Sequence, residues 1–157
     1  NRADQPTQEY LRAHPERLLR MSVAQTTDIA LCQSIRKIVF TDEQGVSTAD
    51  EVDGMDETSV HFLSYLNDKP VGTARVFIKD GSAKIGRVCV LKDARGTYQG
   101  QALIQACLDW AREQGHPRAV LGAQLDALGF YEGFGFKAYG DVFNDAGIDH
   151  RMMELFL

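Results

Sequence analysis

The segment from residue 83 to residue 124 constrains the fold more than any other. AKIGRVCVL (83–91) reads as a strand and KDARGTY as a turn, QGQALIQACLDWAREQ (99–114) as a helix and RAVLGAQ (118–124) as a second strand. Along the helix Leu103, Ala106, Cys107, Trp110 and Ala111 recur at helical spacing, and Gly115 and Pro117 stop it. Such a helix buries its apolar stripe by lying across the two strands. The strands then pair in parallel through a right-handed crossover.

The rest of the chain builds around that unit. LLRMSVAQ (18–25) alternates as a first strand. Thr27 or Asp28 then caps a helix of roughly 28 to 40, with Ile29, Cys32, Ile35, Val39 and Phe40 on its buried face. VHFLSYL (60–66), VGTARVFIK (71–79) and the 83–91 strand are joined by short Asn-, Asp- and Gly-rich turns, which predicts an antiparallel meander. A short helix from about Asp126 to Gly133 and two strands, FKAYGD (136–141) and HRMMELFL (150–157), close the sheet. The expected fold is α+β, with mixed αβα layers: a six- to seven-stranded, mostly antiparallel sheet with one parallel pair and helices on both faces. Residues 1–18 form a polar, partly helical arm, and 19–157 form a single domain large enough to bury a core.

Composition narrows the function. No apolar run reaches the roughly 18 residues that cross a membrane, and no signal peptide opens the chain. A net charge of −5 argues against non-specific nucleic-acid binding. Cys32, Cys89 and Cys107 lack C-x-x-C spacing and read as reduced, buried thiols, which fits the cytoplasm. The four histidines are scattered, and Asp53 and Asp56 lack the rest of an EF-hand pattern, so no metal is expected.

The turn after residue 91 carries the sharpest question. Strand, glycine turn and helix start is a common way to hold a phosphate, yet this is neither a Walker loop nor the dinucleotide fingerprint. VCVLKDARGTYQGQAL, followed by VLGAQLDALGFYEGFGF, resembles the GNAT acyltransferase superfamily, in which Arg/Gln-x-x-Gly-x-Gly/Ala binds the pyrophosphate of acetyl-CoA. IRKIVFTDEQGV, DEVDGMDETSVHFL and GRVCV are similar to the ElaA-like branch of acetyltransferases. The resemblance covers nearly the whole chain from about Leu18 and implies acetyl-CoA as co-substrate, with a small-molecule or peptide amine as acceptor. A homodimer is what the family leads one to expect.

By the same resemblance, Arg95, Gly96, Thr97, Tyr98, Gln99, Gly100 and Gln101 form the diphosphate turn, with Phe130 beside it. The unpaired N–H groups and the dipole of the following helix would attract the diphosphate. Tyr98 stands where the family has a glycine. Either its ring points outward and the amides still hold the phosphates, or it fills the cradle; the intact Arg95, Gly96 and Gly100 favour the first. Backbone N–H groups of Val88, Cys89 and Val90 are implied to polarise the thioester, and Tyr131 to protonate the leaving thiolate. Candidate bases are Glu43 and His61, with a water chain as a third choice. Asp53, Asp56 and Gln124 are candidates for holding the acceptor.

Residues 42–57 contain seven carboxylates and no basic residue. Such a loop either recruits a cationic amine or is simply a solvated surface. Two other functions compete. Arg36 and Phe40, then Glu51-Val52-Asp53-Gly54-Met55-Asp56, then Arg75 overlap the pattern of acyl-homoserine-lactone synthases, which use S-adenosylmethionine. A catalytically degenerate acyl-CoA-binding module is the other.

Overall fold

The computed structural model describes residues 7–15 and 20–157. After a short α1 (Gln8–Ala13) come β1 (Met21–Thr26) and α2 (Ile29–Arg36), which continues as a π-helical stretch, Lys37–Glu43. A one-turn α3 (Thr48–Glu51) precedes the meander β2 (Val60–Leu66), β3 (Lys69–Lys79) and β4 (Ser82–Val90). Then follow α4 (Gln99–Glu113), β5 (Arg118–Gln124), α5 (Leu128–Glu132), β6 (Lys137–Asp145) and β7 (Ile148–Phe156). The seven strands lie in the order β1-β2-β3-β4-β5-β7-β6, antiparallel throughout except for β4 beside β5. This is the expected architecture. Leu18 and Leu19 of the expected first strand, with parts of the N-terminal arm, fall outside the described residues.

Successive strand residues face opposite sides, and the two cores follow from that alternation. Phe62, Ala74, Val76 and Ile85 pack with Leu103, Ile104, Cys107 and Leu108 of α4. Leu63 and Cys89 face the other way, onto Cys32 and Ile35 of α2 and Val39 just beyond it. Each large apolar side chain so buried contributes about 1.5–3 kcal/mol. All three cysteines are free and buried. The Asp28 carboxylate caps α2, accepting from the Leu31 N–H at 3.1 Å.

Two boundaries differ from the sequence reading. The first helix does not stop near residue 40 but runs on to Glu43 in π form. The last two strands are longer than 136–141 and 150–157 and meet in a tight hairpin. Ala146 and Gly147 both take positive φ (52° and 84°) in its turn, and the Asn144 side chain accepts the Gly147 N–H at 3.1 Å.

One departure from a regular sheet matters most. β5 pairs with β7 along its whole length, from Arg118↔Phe156 to Gln124↔His150. It pairs with β4 only at Ala83↔Ala119 and Lys84↔Val120. Beyond Lys84 the edge of β4 that faces β5 has no strand beside it. A bulge in the β3–β4 pairing, between Thr73 and Arg75, lies opposite Arg87, whose φ is +52°. Bulges sharpen local twist, and this one turns β4 away from β5.

The acidic segment is anchored to the sheet through three of its seven carboxylates, Glu51, Asp53 and Asp56, while Asp42, Glu43, Asp50 and Glu57 lie at the surface. Glu51 and Asp56 are buried, and both bind Arg36, which is itself only 1% exposed. Arg36 Nη2 donates to Glu51 Oε2 at 2.7 Å and Nη1 to Asp56 Oδ1 at 2.6 Å, while its Nε also donates to Glu51. Arg75 Nη1 donates to Asp53 and Asp56 at 2.9 Å each, and its Nη2 to Asp53. Arg87 adds donation to the Glu51 carbonyl at 3.0 Å and to Asp53 at 3.3 Å. Asp56 also accepts from Gln33 at 2.9 Å.

Hydrogen bonds from Arg75 hold the Asp53 carboxyl down at about 2. Burial alone would raise that of Asp56, but hydrogen bonds from Arg36, Gln33 and Arg75 outweigh it and keep the group far below the usual carboxylate range. Both carboxyls thus bind protons more weakly in the folded chain than in the unfolded one, where they titrate near 3.9. Their stabilising contribution is complete above about pH 5 and declines below about pH 4; that of Asp53 fades as the pH falls through about 2, and that of Asp56 persists to lower pH. Urea midpoints measured across pH should fall over that interval; a midpoint unchanged down to pH 2 would contradict the network.

Candidate functional site

The parting of β4 from β5 opens a cleft of about 520 Å³. The π-helical end of α2 supplies one wall with Val39 and Phe40, extended by Gln44 and Val46. Arg75, Lys84, Arg87 and Val88 from β3 and β4 line another part. Gly122 and Gln124 of β5 face them, Tyr131 comes from α5, and the β6–β7 hairpin leans in with Phe143, His150 and Met152.

Several residues singled out from sequence meet there. Val88, Gln124, Asp53 and Tyr131 all line the cleft. Gln124 donates to Gln44 at 3.0 Å, linking β5 to the end of the first helix. Burial pushes the Tyr131 phenol up to about 12, so it remains protonated at neutral pH. Among the described residues its hydroxyl has no hydrogen-bond partner. Cys89 faces the α2 core, and burial drives its thiol well above the ordinary range, which makes it a poor nucleophile. Val90 packs against the α4 core.

Other candidates lie elsewhere. Asp56 is enclosed by Arg36 and Arg75 and does not line the cleft. His61 is 2% exposed, with Nε2 on the Asp56 carbonyl at 2.8 Å. That carbonyl can only accept, so Nε2 carries the proton; Nδ1 is buried without a partner. Glu43 accepts twice from Arg95 Nη2, at 2.9 Å, and Arg95 Nε donates to the Val90 carbonyl at 3.0 Å. The proposed base and the proposed phosphate ligand are thus paired with each other. The pair is partly exposed and worth no more than about 1 kcal/mol.

The turn itself follows the parted end of β4. Gly96 has φ +80°, and Tyr98, at φ 66° and ψ 16°, holds the left-handed conformation that a glycine would adopt there. The first hydrogen bond of α4 runs from the Ala102 N–H to the Tyr98 carbonyl at 3.1 Å, and no side chain caps the helix. The N–H groups of Gln99, Gly100 and Gln101 have no protein acceptor among the described residues. Gln99 is 1% exposed, yet both polar atoms of its side chain lack partners. Orphaned donors at a helix start beside an unsatisfied buried amide fit an oxyanion of a diphosphate. Tyr98 lines, with Gln101, Ala102, Phe130 and Phe134, a groove of about 550 Å³ beside α4. Gly100 sits under the Phe130 ring, which would be 3.4 Å from a Cβ added there.

Sequence reasoning missed two things. It treated the loop carboxylates as unpartnered, though Arg36 and Arg75 were visible as the flanking basic residues. It also passed over His150, which shares a face of β7 with Ile148 and Met152 and lines the cleft with them.

Residues 39–157 match the acetyltransferase (GNAT) domain. YjcF of Bacillus subtilis, an uncharacterized N-acetyltransferase, is 37% identical over 120 residues, 76% of this chain and 86% of that protein. ElaA of Escherichia coli is 36% identical over 122 residues, covering 74% and 79% of the two chains. The crystal structure of ElaA superposes with a TM-score of 0.73 at 28% identity over 85% of this chain and 97% of that one. A GNAT family acetyltransferase from Elizabethkingia anophelis, solved with acetyl-CoA bound, shares the fold at a TM-score of 0.68 and 13% identity over 88% and 99% of the chains. These resemblances do not favour a lactone synthase or a degenerate module. The chain belongs to the GNAT acetyltransferase family and to its ElaA-like branch.

Proposed function

We propose that this protein is an N-acetyltransferase that moves an acetyl group from acetyl-CoA directly to the amine of a small molecule or peptide. The observation that carries this reading is the uncapped start of α4, with the orphaned Gln99 amide, at the parted end of β4. That arrangement supports diphosphate binding by the N–H groups of Gln99, Gly100 and Gln101, with Gly96 and Thr97 shaping the turn. Arg95 adds a charged contact once it leaves Glu43. The acetyl-CoA-bound relative from E. anophelis supports the choice of co-substrate.

Acetyl-CoA supplies an activated acyl thioester. Val88, Cys89 and Val90 lie on the stretch of β4 without a β5 partner; the Cys89 N–H faces β3, opposite Thr73, so the thioester oxygen is assigned to the N–H groups of Val88 and Val90 on the open edge. Tyr131 is assigned the protonation of the departing sulfur, a role for which its retained proton suits it. Gln124, Gln44 and Asp53 border the space left for the acceptor. Asp53 is bound by Arg75 and Arg87, which leaves Asp50 and Asp145 as the cleft carboxylates outside the ion-pair network, available to a cationic acceptor.

The activity is tested by following CoA release from acetyl-CoA over a panel of primary amines: the amino acids, putrescine, spermidine and amino sugars. Amine-dependent release supports the reading, and its absence with every amine contradicts it. Tyr131→Phe should lower kcat about a hundredfold while the Kd for acetyl-CoA stays within a factor of two; an unchanged kcat would remove Tyr131 from the chemistry. Tyr98→Gly relieves the left-handed backbone but loosens the unfolded chain, so stability should change by no more than about 1 kcal/mol. With Tyr98 lining the α4 groove and the turn N–H groups still unpaired, calorimetry should find the CoA affinity of Tyr98→Gly within about threefold of the original. A gain of tenfold or more would mean that the ring plugs the cradle.

A further inference from the structure

The proposed transfer needs a group that removes the proton from the acceptor nitrogen, and the two side chains suggested by sequence do not line the cleft. His61 is sealed in the core, and Glu43 is bound to Arg95. Resting on the acetyl-transfer reading, we propose that His150 is the general base.

His150 lies on β7 opposite Gln124, at the end of the β5–β7 ladder, and is partly exposed within the cleft that Tyr131 also lines. Its Nδ1 is 2.7 Å from the Ile148 carbonyl. A carbonyl oxygen only accepts, so Nδ1 carries the proton and the neutral ring keeps its lone pair on Nε2. The ring also stacks on Phe143 across the hairpin, with centroids 5.6 Å apart and planes at 24°. Two contacts thus fix its orientation and tautomer, and Nε2 has no protein partner among the described residues. His61 has the opposite arrangement: its lone pair, on Nδ1, is buried where no substrate reaches. Among the described residues no carboxylate pairs with His150, which separates this site from the Arg36–Arg75–Arg87 network.

The acceptor nitrogen bonds to the acetyl carbon, and its proton passes to His150 Nε2. The carbon–sulfur bond breaks with its electron pair on sulfur, which takes the proton of the Tyr131 hydroxyl. Water returns the proton from His150 to Tyr131. The net change is the exchange of one acetyl group for one proton between nitrogen and sulfur. An acceptor that arrives as an ammonium first releases one further proton to water.

The test uses the full chain, acetyl-CoA and whichever amine of the panel the unaltered protein turns over fastest. His150→Ala and His150→Asn should each lower kcat about a hundredfold, with Tm and the Kd for acetyl-CoA retained. Added imidazole should restore part of the rate to His150→Ala and none to Tyr131→Phe, a rescue that a merely structural role would not give. His61→Gln should lose stability while keeping kcat within a few-fold. A kcat close to the original in either folded His150 variant, or no imidazole rescue of His150→Ala, overturns the assignment. Loss of CoA release by the unaltered protein on every amine would overturn the acetyl-transfer reading itself, and the base with it.

Discussion

Everything distinctive about this molecule depends on β4 and β5 being neighbours for only two residue pairs. A parallel pair inside a sheet would normally continue, since each lost ladder step leaves backbone groups unsatisfied. Here β5 is secured on its other edge by seven pairs to β7, and β4 by its antiparallel ladder to β3. The bulge at Arg87 lets β4 twist away without losing β3. The result is a sheet split at one end, with bare strand edge on one side of the split and the open start of α4 just beyond it.

The split alone would be a shallow notch. The 42–58 segment makes it a cleft, and two buried arginines, Arg36 and Arg75, with the partly buried Arg87, hold that segment in place. Buried ion pairs contribute little net stability, because desolvation offsets most of the attraction, whereas removal of one partner is costly. The network of Arg36, Arg75 and Arg87 with Glu51, Asp53 and Asp56 is therefore best understood as a positioning device. It draws an otherwise highly charged segment against β3 and β4 and fixes the wall that carries Phe40, Gln44 and Val46. It also neutralises Asp53, one of the carboxylates that line the cleft.

The elements that were legible in the sequence are those set by local rules. The meander follows from alternation and short turns, α4 from its stripe and its Gly115–Pro117 stop, and the start of α2 from the Asp28 cap. The turn motif around Arg95 also pointed to the start of α4. What was not legible depends on pairings between distant segments. The acidic loop looked unpartnered because its arginines come from β3, β4 and the first helix. His61 was favoured over His150 because a lone histidine at a strand start gives no sign of which face is sealed. Only the β5–β7 register puts His150 at the cleft, and only the fold shows that Glu43 and Arg95 pair. The π-helical run from Lys37 to Glu43 has no sequence signal that we recognise.

The central claim is that the split strands and the bare helix start form one binding site. Amide NMR chemical shifts recorded while CoA is titrated into the protein test it most directly. The account predicts that the largest shifts fall on Gln99, Gly100 and Gln101 and on Val88 to Val90, with Val23 to Gln25 of β1 and the open end of the hairpin, Lys137 and Phe156, nearly unmoved. Shifts absent from both of those stretches at saturating CoA would contradict it.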